Sequence, residues 1–132
     1  MSRALILDAS AILTVFFRAP RYEGVLAKIA GASGIGVGAP TLAALGMLLC
    51  ARTKRDPRAL LARFLQGCDA QTVAFGESHW RAALDAYLRY GKGRHAAELS
   101  FVACLAYAVA KLAAQPLLTI QPGFAHTDLE LA

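Results

Sequence analysis

The stretch Leu5-Ile6-Leu7-Asp8-Ala9-Ser10 constrains the fold more than any other. Its three large apolar residues are consecutive, with no polar partner between them. A strand with one wet face alternates apolar and polar residues, whereas one covered on both faces reads as a continuous apolar run. Further short strand candidates follow at Ile35-Gly36-Val37, Gln71 to Phe75 and Pro116 to Ile120. Between these stretches lie helix-period segments: Ala9 to Phe17, Tyr22 to Ala30, Pro40 to Ala51, a helix opened by Asp56-Pro57, Glu77 to Tyr90 with Trp80 read as a core residue, and Glu98 to Ala114. Strands alternating with helices imply a parallel sheet packed on both faces. The handedness of βαβ crossovers narrows the choice to a three-layer α/β/α domain with a short, mainly parallel central sheet. With 132 residues, no repeat and no linker, residues 1–132 read as one domain.

The first strand ends on a carboxylate. Open α/β sheets bind ligands beyond the carboxyl ends of their strands, so Asp8 is a candidate ligand for a metal or a polar substrate. Asp and Ser also cap helices, and the residues by themselves leave both readings open.

Composition excludes several classes. Apolar residues make up 57% of the chain, too many for disorder. No charge lies between Lys28 and Arg52, but Gly31, Gly34, Gly36, Gly38 and Pro40 break that interval into turn, strand and new helix rather than a membrane span. Only Ala4 to Leu7 separate Arg3 from Asp8, too short for the apolar core of a signal peptide. The expectation is a cytoplasmic protein with no membrane segment. Cys50, Cys68 and Cys104 are odd in number and widely spaced, which suits buried free thiols better than disulfides or zinc. The net charge of +5 permits a polyanionic partner such as RNA.

The segment Gly91-Lys92-Gly93-Arg94-His95-Ala96-Ala97-Glu98-Leu99-Ser100-Phe101 resembles the approach to the central acidic helix in PIN-domain proteins, above all VapC-type ribonuclease toxins of toxin–antitoxin pairs. Their pattern there is Gly-x-Gly-x-His-x-Ala-x-Leu-Asn-Phe-Gly-Asp-Cys. This chain matches the glycines, His95, Ala97, Leu99, Phe101 and Cys104. Asp8-Ala9-Ser10-Ala11, Ala39-Pro40-Thr41-Leu42, Ala106-Tyr107-Ala108, Pro116-Leu117-Leu118 and Phe124-Ala125-His126-Thr127-Asp128 fall in register with the rest of the family pattern.

That resemblance implies Mg²⁺- or Mn²⁺-dependent hydrolysis of RNA, with about four acids converging on the cation. It also implies a small antitoxin as partner and a homodimer. Asp8 stands at the first acid and is the metal and catalytic candidate. The other three acids would fall at Ala44, Ala103 and Gly123, with Val102 and Pro122 preceding the last two. A shift of one residue restores none, because no acid lies between Glu23 and Asp56 or between Glu98 and Asp128. The expectation is a PIN-like protein impaired as a nuclease, binding RNA or an antitoxin-like protein. The alternatives are an active Mg²⁺-dependent endoribonuclease using Asp8 and recruited acids, Glu98 or Asp128 among them, and a purely structural homodimer.

Overall fold

The computed structural model describes residues 3–132; the first two residues of the expected domain lie outside them. The element order is β1 (Ala4–Leu7), α1 (Ala9–Phe16), α2 (Tyr22–Gly31), β2 (Gly34–Gly38), α3 (Ala39–Thr53), α4 (Arg58–Gly67), β3 (Ala70–Val73), α5 (Glu77–Tyr90), α6 (Phe101–Ala113), β4 (Leu117–Leu118) and a 3₁₀ turn, Pro122–His126. The four strands form one sheet in the order β3-β2-β1-β4, and every pairing is parallel. This is the expected three-layer α/β/α arrangement.

The consecutive apolar residues of β1 divide between two cores. Leu5 and Leu7 point into a core shared with Ile12, Val25, Ile29, Leu45 and Leu49 of α1, α2 and α3. Ile6 points the other way, towards Ala86 of α5, Tyr107, Val109 and Ala110 of α6, and Phe124. Alternate strand residues face opposite sides, so an apolar residue at every position is what two covered faces require.

Three local expectations are corrected. The long helix starts at Phe101 rather than Glu98. Glu98 has left-handed backbone, with φ of 47°, and Leu99 is tied to the end of α5 by its N–H to the Tyr90 carbonyl, 2.9 Å. Ser100 is the N-cap, its Oγ accepting the Ala103 N–H at 3.1 Å, a role Ser performs better than Glu. Cys50 is exposed, unlike buried Cys104. The buried stripe of α3 is Thr41, Leu45 and Leu49, and a 100° step past Leu49 turns Cys50 outward. Trp80, expected in the core, is 47% exposed, because α5 buries Ala83, Ala86 and Tyr90 instead. All three cysteines are free. Among the described residues, no helix is long and apolar enough to cross a membrane.

The segment after β4 closes the sheet. Phe124 is fully buried. The Leu117 N–H donates to the Glu130 carbonyl and the Ala132 N–H to the Leu117 carbonyl, both at 3.0 Å. An ion pair between Arg3 and Glu130 ties the start of β1 to the same segment.

Candidate active site

The strand order places the reversal of winding between β1 and β4. In such sheets a crevice opens there, beyond the carboxyl ends of the strands. Asp8 follows β1 at that point, and Thr119 follows β4. Because β1, β2 and β4 are parallel, α1 and α3 also begin at this edge. Helix α6 runs back to the start of β4, so its first turn, with Ala103, lies at the same edge.

Asp8 is buried, 3% exposed. It caps α1, Oδ1 accepting the Ala11 N–H at 2.9 Å. Ser10 Oγ donates to the same oxygen at 2.7 Å. Thr119 Oγ1 donates to Oδ2 at 2.5 Å. The two hydroxyls are 3.2 Å apart, and the backbone continues the network. Ser10 Oγ accepts the Ile120 N–H at 3.1 Å, and Thr119 Oγ1 accepts the Gln121 N–H at 3.0 Å. Burial pushes the Asp8 carboxyl above the usual carboxylate range; the bonds from Thr119, Ala11 and Ser10 oppose that shift without cancelling it. The capping and ligand readings left open by the sequence therefore meet in one carboxylate. The capping contact is present, and hydroxyls occupy both oxygens.

The remaining family positions carry no acid. Ala44 is half-buried on α3 and Ala103 is buried in the first turn of α6. Gly123 lies in the 3₁₀ turn, packed so closely on the preceding loop that a Cβ there would sit 2.2 Å from the Ala97 carbonyl oxygen. The Gly91–His95 loop makes a turn closed by the Arg94 N–H to the Gly91 carbonyl, 3.0 Å, and tied to the following segment by the Lys92 N–H to the Leu99 carbonyl, 3.0 Å. His95 Nδ1 accepts the Ala97 N–H at 3.0 Å, and its ring meets Tyr90 edge-on at 5.2 Å. His95 is thus a loop-capping residue.

Of the two acids considered as recruits, one is open to solvent and the other is committed to partners on α5 and α6. Glu98 is exposed. Asp128 accepts Tyr107 Oη at 2.6 Å on one oxygen and Lys111 Nζ at 2.8 Å on the other, with Arg89 3.8 Å away. Burial pushes Asp128 up, but the bonds from Lys111 and Tyr107 and the charges of Lys111 and Arg89 outweigh it and hold the carboxyl below its ordinary range. Burial and the Asp128 carboxylate in turn push the Tyr107 hydroxyl well above the usual tyrosine range. The closing Phe-x-x-Thr-Asp motif is therefore an anchor. Phe124 enters the core, Thr127 Oγ1 donates to the Phe124 carbonyl at 2.7 Å, and Asp128 grips α6.

Sequence reasoning missed Thr119. A Thr two residues past an apolar run is an ordinary strand end, and only the β1–β4 pairing, with Leu7 beside Leu118, brings it to Asp8. Among the described residues, no three His, Cys, Asp or Glu side chains are grouped so as to hold a metal ion.

Comparison with known proteins agrees with this architecture. The PIN domain family model matches residues 5–129. Ribonuclease VapC36 of Mycobacterium tuberculosis is 39% identical over 127 residues, covering 96% of this chain and 91% of that protein. Ribonuclease VapC30 of Mycobacterium tuberculosis is 50% identical over 48 residues, 36% of this chain and 37% of that protein. Among solved structures, Mycobacterium tuberculosis VapC20, described as a Sarcin-Ricin loop cleaving toxin, superposes with a TM-score of 0.77 at 14% identity, covering 97% of this chain and 98% of that one. VapBC2 from Rickettsia felis, solved bound to a DNA fragment from its promoter, gives 0.75 at 14% identity, covering 98% and 97%. The chain belongs to the PIN-domain family, in its branch of VapC-type toxin ribonucleases.

Proposed function

We propose that this chain is a VapC-type PIN protein impaired as a metal-dependent nuclease, and that it acts by binding rather than turnover. One observation carries the reading. Asp8 stands alone at the sheet edge, with both its oxygens engaged by Ser10, Thr119 and Ala11. A hard divalent cation takes six or more oxygen ligands, and a protein site of this kind supplies several as carboxylates. Ala44, Ala103 and Gly123 supply none. The residues present do not fit a Mg²⁺ or Mn²⁺ centre, and no hydrolytic step is assigned through one.

The test is cleavage. The purified protein is incubated with a mixed RNA pool in millimolar Mg²⁺ or Mn²⁺, then with EDTA. Intact RNA under all conditions is the expected result. Cleavage that EDTA stops and that Asp8→Asn abolishes would establish the alternative, an active endoribonuclease.

Two apolar surfaces support binding. Trp80, Leu84, Tyr87, Phe101 and Cys104 line a cleft of about 420 Å³ between α5 and α6. Arg81 stacks over Trp80 at 4.6 Å and Arg94 over Tyr87 at 5.3 Å. Aromatic residues with arginine are the composition of protein interface cores, and we assign this face to a homodimer. Val15, Leu26, Ile29, Phe64 and Cys68 line a groove of about 540 Å³, which suits the apolar face of an antitoxin-like helix. With only one acid at the sheet edge, such a partner would be held by apolar packing rather than by a charged anchor. The net charge of +5 leaves RNA as a second ligand, bound more weakly as salt rises. Leu84→Glu is expected to convert a dimer to a monomer in light scattering. A variant that stays dimeric would assign the contact to another face.

A further inference from the structure

We infer that Asp8, Ser10 and Thr119 form a metal-free clamp joining the carboxyl ends of β1 and β4, and that the sheet edge has closed so that returning the missing acids does not rebuild a cation site. The inference rests on the impaired-nuclease reading and extends it. There the carboxylate is an isolated survivor; here it has a structural task.

The clamp follows from the bond pattern. Strands β1 and β4 pair over only two residues each, Ile6 with Leu117 and Leu7 with Leu118. So short a ladder contributes few backbone bonds, one of them the Asp8 N–H to the Leu118 carbonyl at 3.2 Å. Side chains continue the pairing beyond it. Asp8 receives Thr119 from across the β1–β4 boundary and Ser10 from its own side. Ser10 then receives the Ile120 N–H, again across the boundary. Two bonds thus cross where the strand ladder has ended. In a metal site the cation would satisfy this carboxylate. Here two hydroxyls and one amide do, each a neutral donor that brings no counter-charge into a buried place.

The closure follows from Gly123. Carboxylate ligands need a Cβ, and at position 123 a Cβ would meet a backbone oxygen at 2.2 Å. Backbone cannot rotate aside as a side chain can. An acid there requires the 3₁₀ turn to lift from the Ala97 loop, which would draw fully buried Phe124 with it. Ala103 is itself 3% exposed, so an acid at that position enters packed core.

A double-mutant cycle tests the clamp. Asp8→Asn, Thr119→Val and the pair are compared by thermal unfolding in EDTA. Each single variant is expected to melt about 4 °C lower, and the pair to lose less than the sum of the two, because the bond they share is counted in both. Additive losses would overturn the clamp while leaving the nuclease reading intact; metal-dependent RNA cleavage by the native chain would overturn that reading instead. Thr119→Ser guards against a variant that fails to fold. It retains the hydroxyl and is expected to melt near the native temperature, and a fall equal to that of Thr119→Val would show that the hydroxyl is irrelevant. In Ser10→Ala, amide exchange at Ile120 is expected to rise about tenfold, and unchanged exchange would contradict the bond. For the closure, the triple variant Ala44→Glu, Ala103→Asp, Gly123→Asp is titrated with Mn²⁺ alone. Lower stability and no saturable uptake are expected; one tight Mn²⁺ per chain would overturn the closure.

Discussion

Asp8 and Asp128 are both carboxylates with every oxygen engaged, yet the protein satisfies them by opposite means. Asp8 is buried and held by two hydroxyls and one amide. Asp128 is at the surface and held by Lys111, Tyr107 and nearby Arg89. Neutral donors compensate the burial of Asp8 only in part, so its carboxyl is pushed above the ordinary range. Cationic donors overcompensate at Asp128, so its carboxyl titrates below. The contrast shows that two fully engaged carboxylates of one chain can sit in opposite electrostatic settings, one among neutral donors and one among cations.

The largest difference should come from truncation. Asp8→Ala removes an N-cap and strands the Ser10 and Thr119 hydroxyls in a buried place, a loss of about 3 kcal/mol in urea unfolding. Asp128→Ala leaves solvent-reachable donors and is expected to cost about 1 kcal/mol. Equal losses would erase the distinction between a buried clamp and a surface brace.

The pH dependence separates them next. A carboxyl lowered in the folded state gives stability that is complete above its unfolded value, about 3.9, and is lost as pH falls through the folded one. Asp128→Asn should therefore flatten the acid limb of the stability curve. A carboxyl raised by folding acts with the other sign: its contribution is complete below about 3.9 and declines as pH rises through the raised value. The native protein is expected to lose stability from this source between acid and neutral pH, and Asp8→Asn to remove that decline. An acid limb unchanged in Asp128→Asn would contradict the brace.

Salt gives the smallest effect. At about 1 M salt, where charges are screened beyond about 3 Å, the cost of Asp128→Asn is expected to shrink while that of Asp8→Asn stays. Parallel changes in the two variants would mean that exposed cations govern both.

The fold was legible above all in β1, an unbroken apolar run: Leu5, Ile6 and Leu7 demand cover on both sides, and two cores supply it. The site's address was legible from Asp8 at the end of the first run. Its wiring was not. Thr119 reaches Asp8 across 111 positions of chain, through a pairing that no local pattern announces. The role of Asp128 was hidden for the same reason, since its partners lie on the far turns of α6 and α5. Trp80 was misplaced because size suggests burial, whereas the face α5 turns inward is set by small Ala83 and Ala86 packing against α6. Ser100, three residues before Ala103, carried the signal for the start of α6, and a capping argument at that position would have found it.

The central claim is that the sheet edge no longer takes a cation, and Mn²⁺ tests it most directly. Calorimetric titration of Mn²⁺ into the native chain at neutral pH and low salt is predicted to show no saturable uptake below millimolar concentration, with the same trace from Asp8→Asn. One ion bound per chain at micromolar affinity, and lost in Asp8→Asn, would contradict the account.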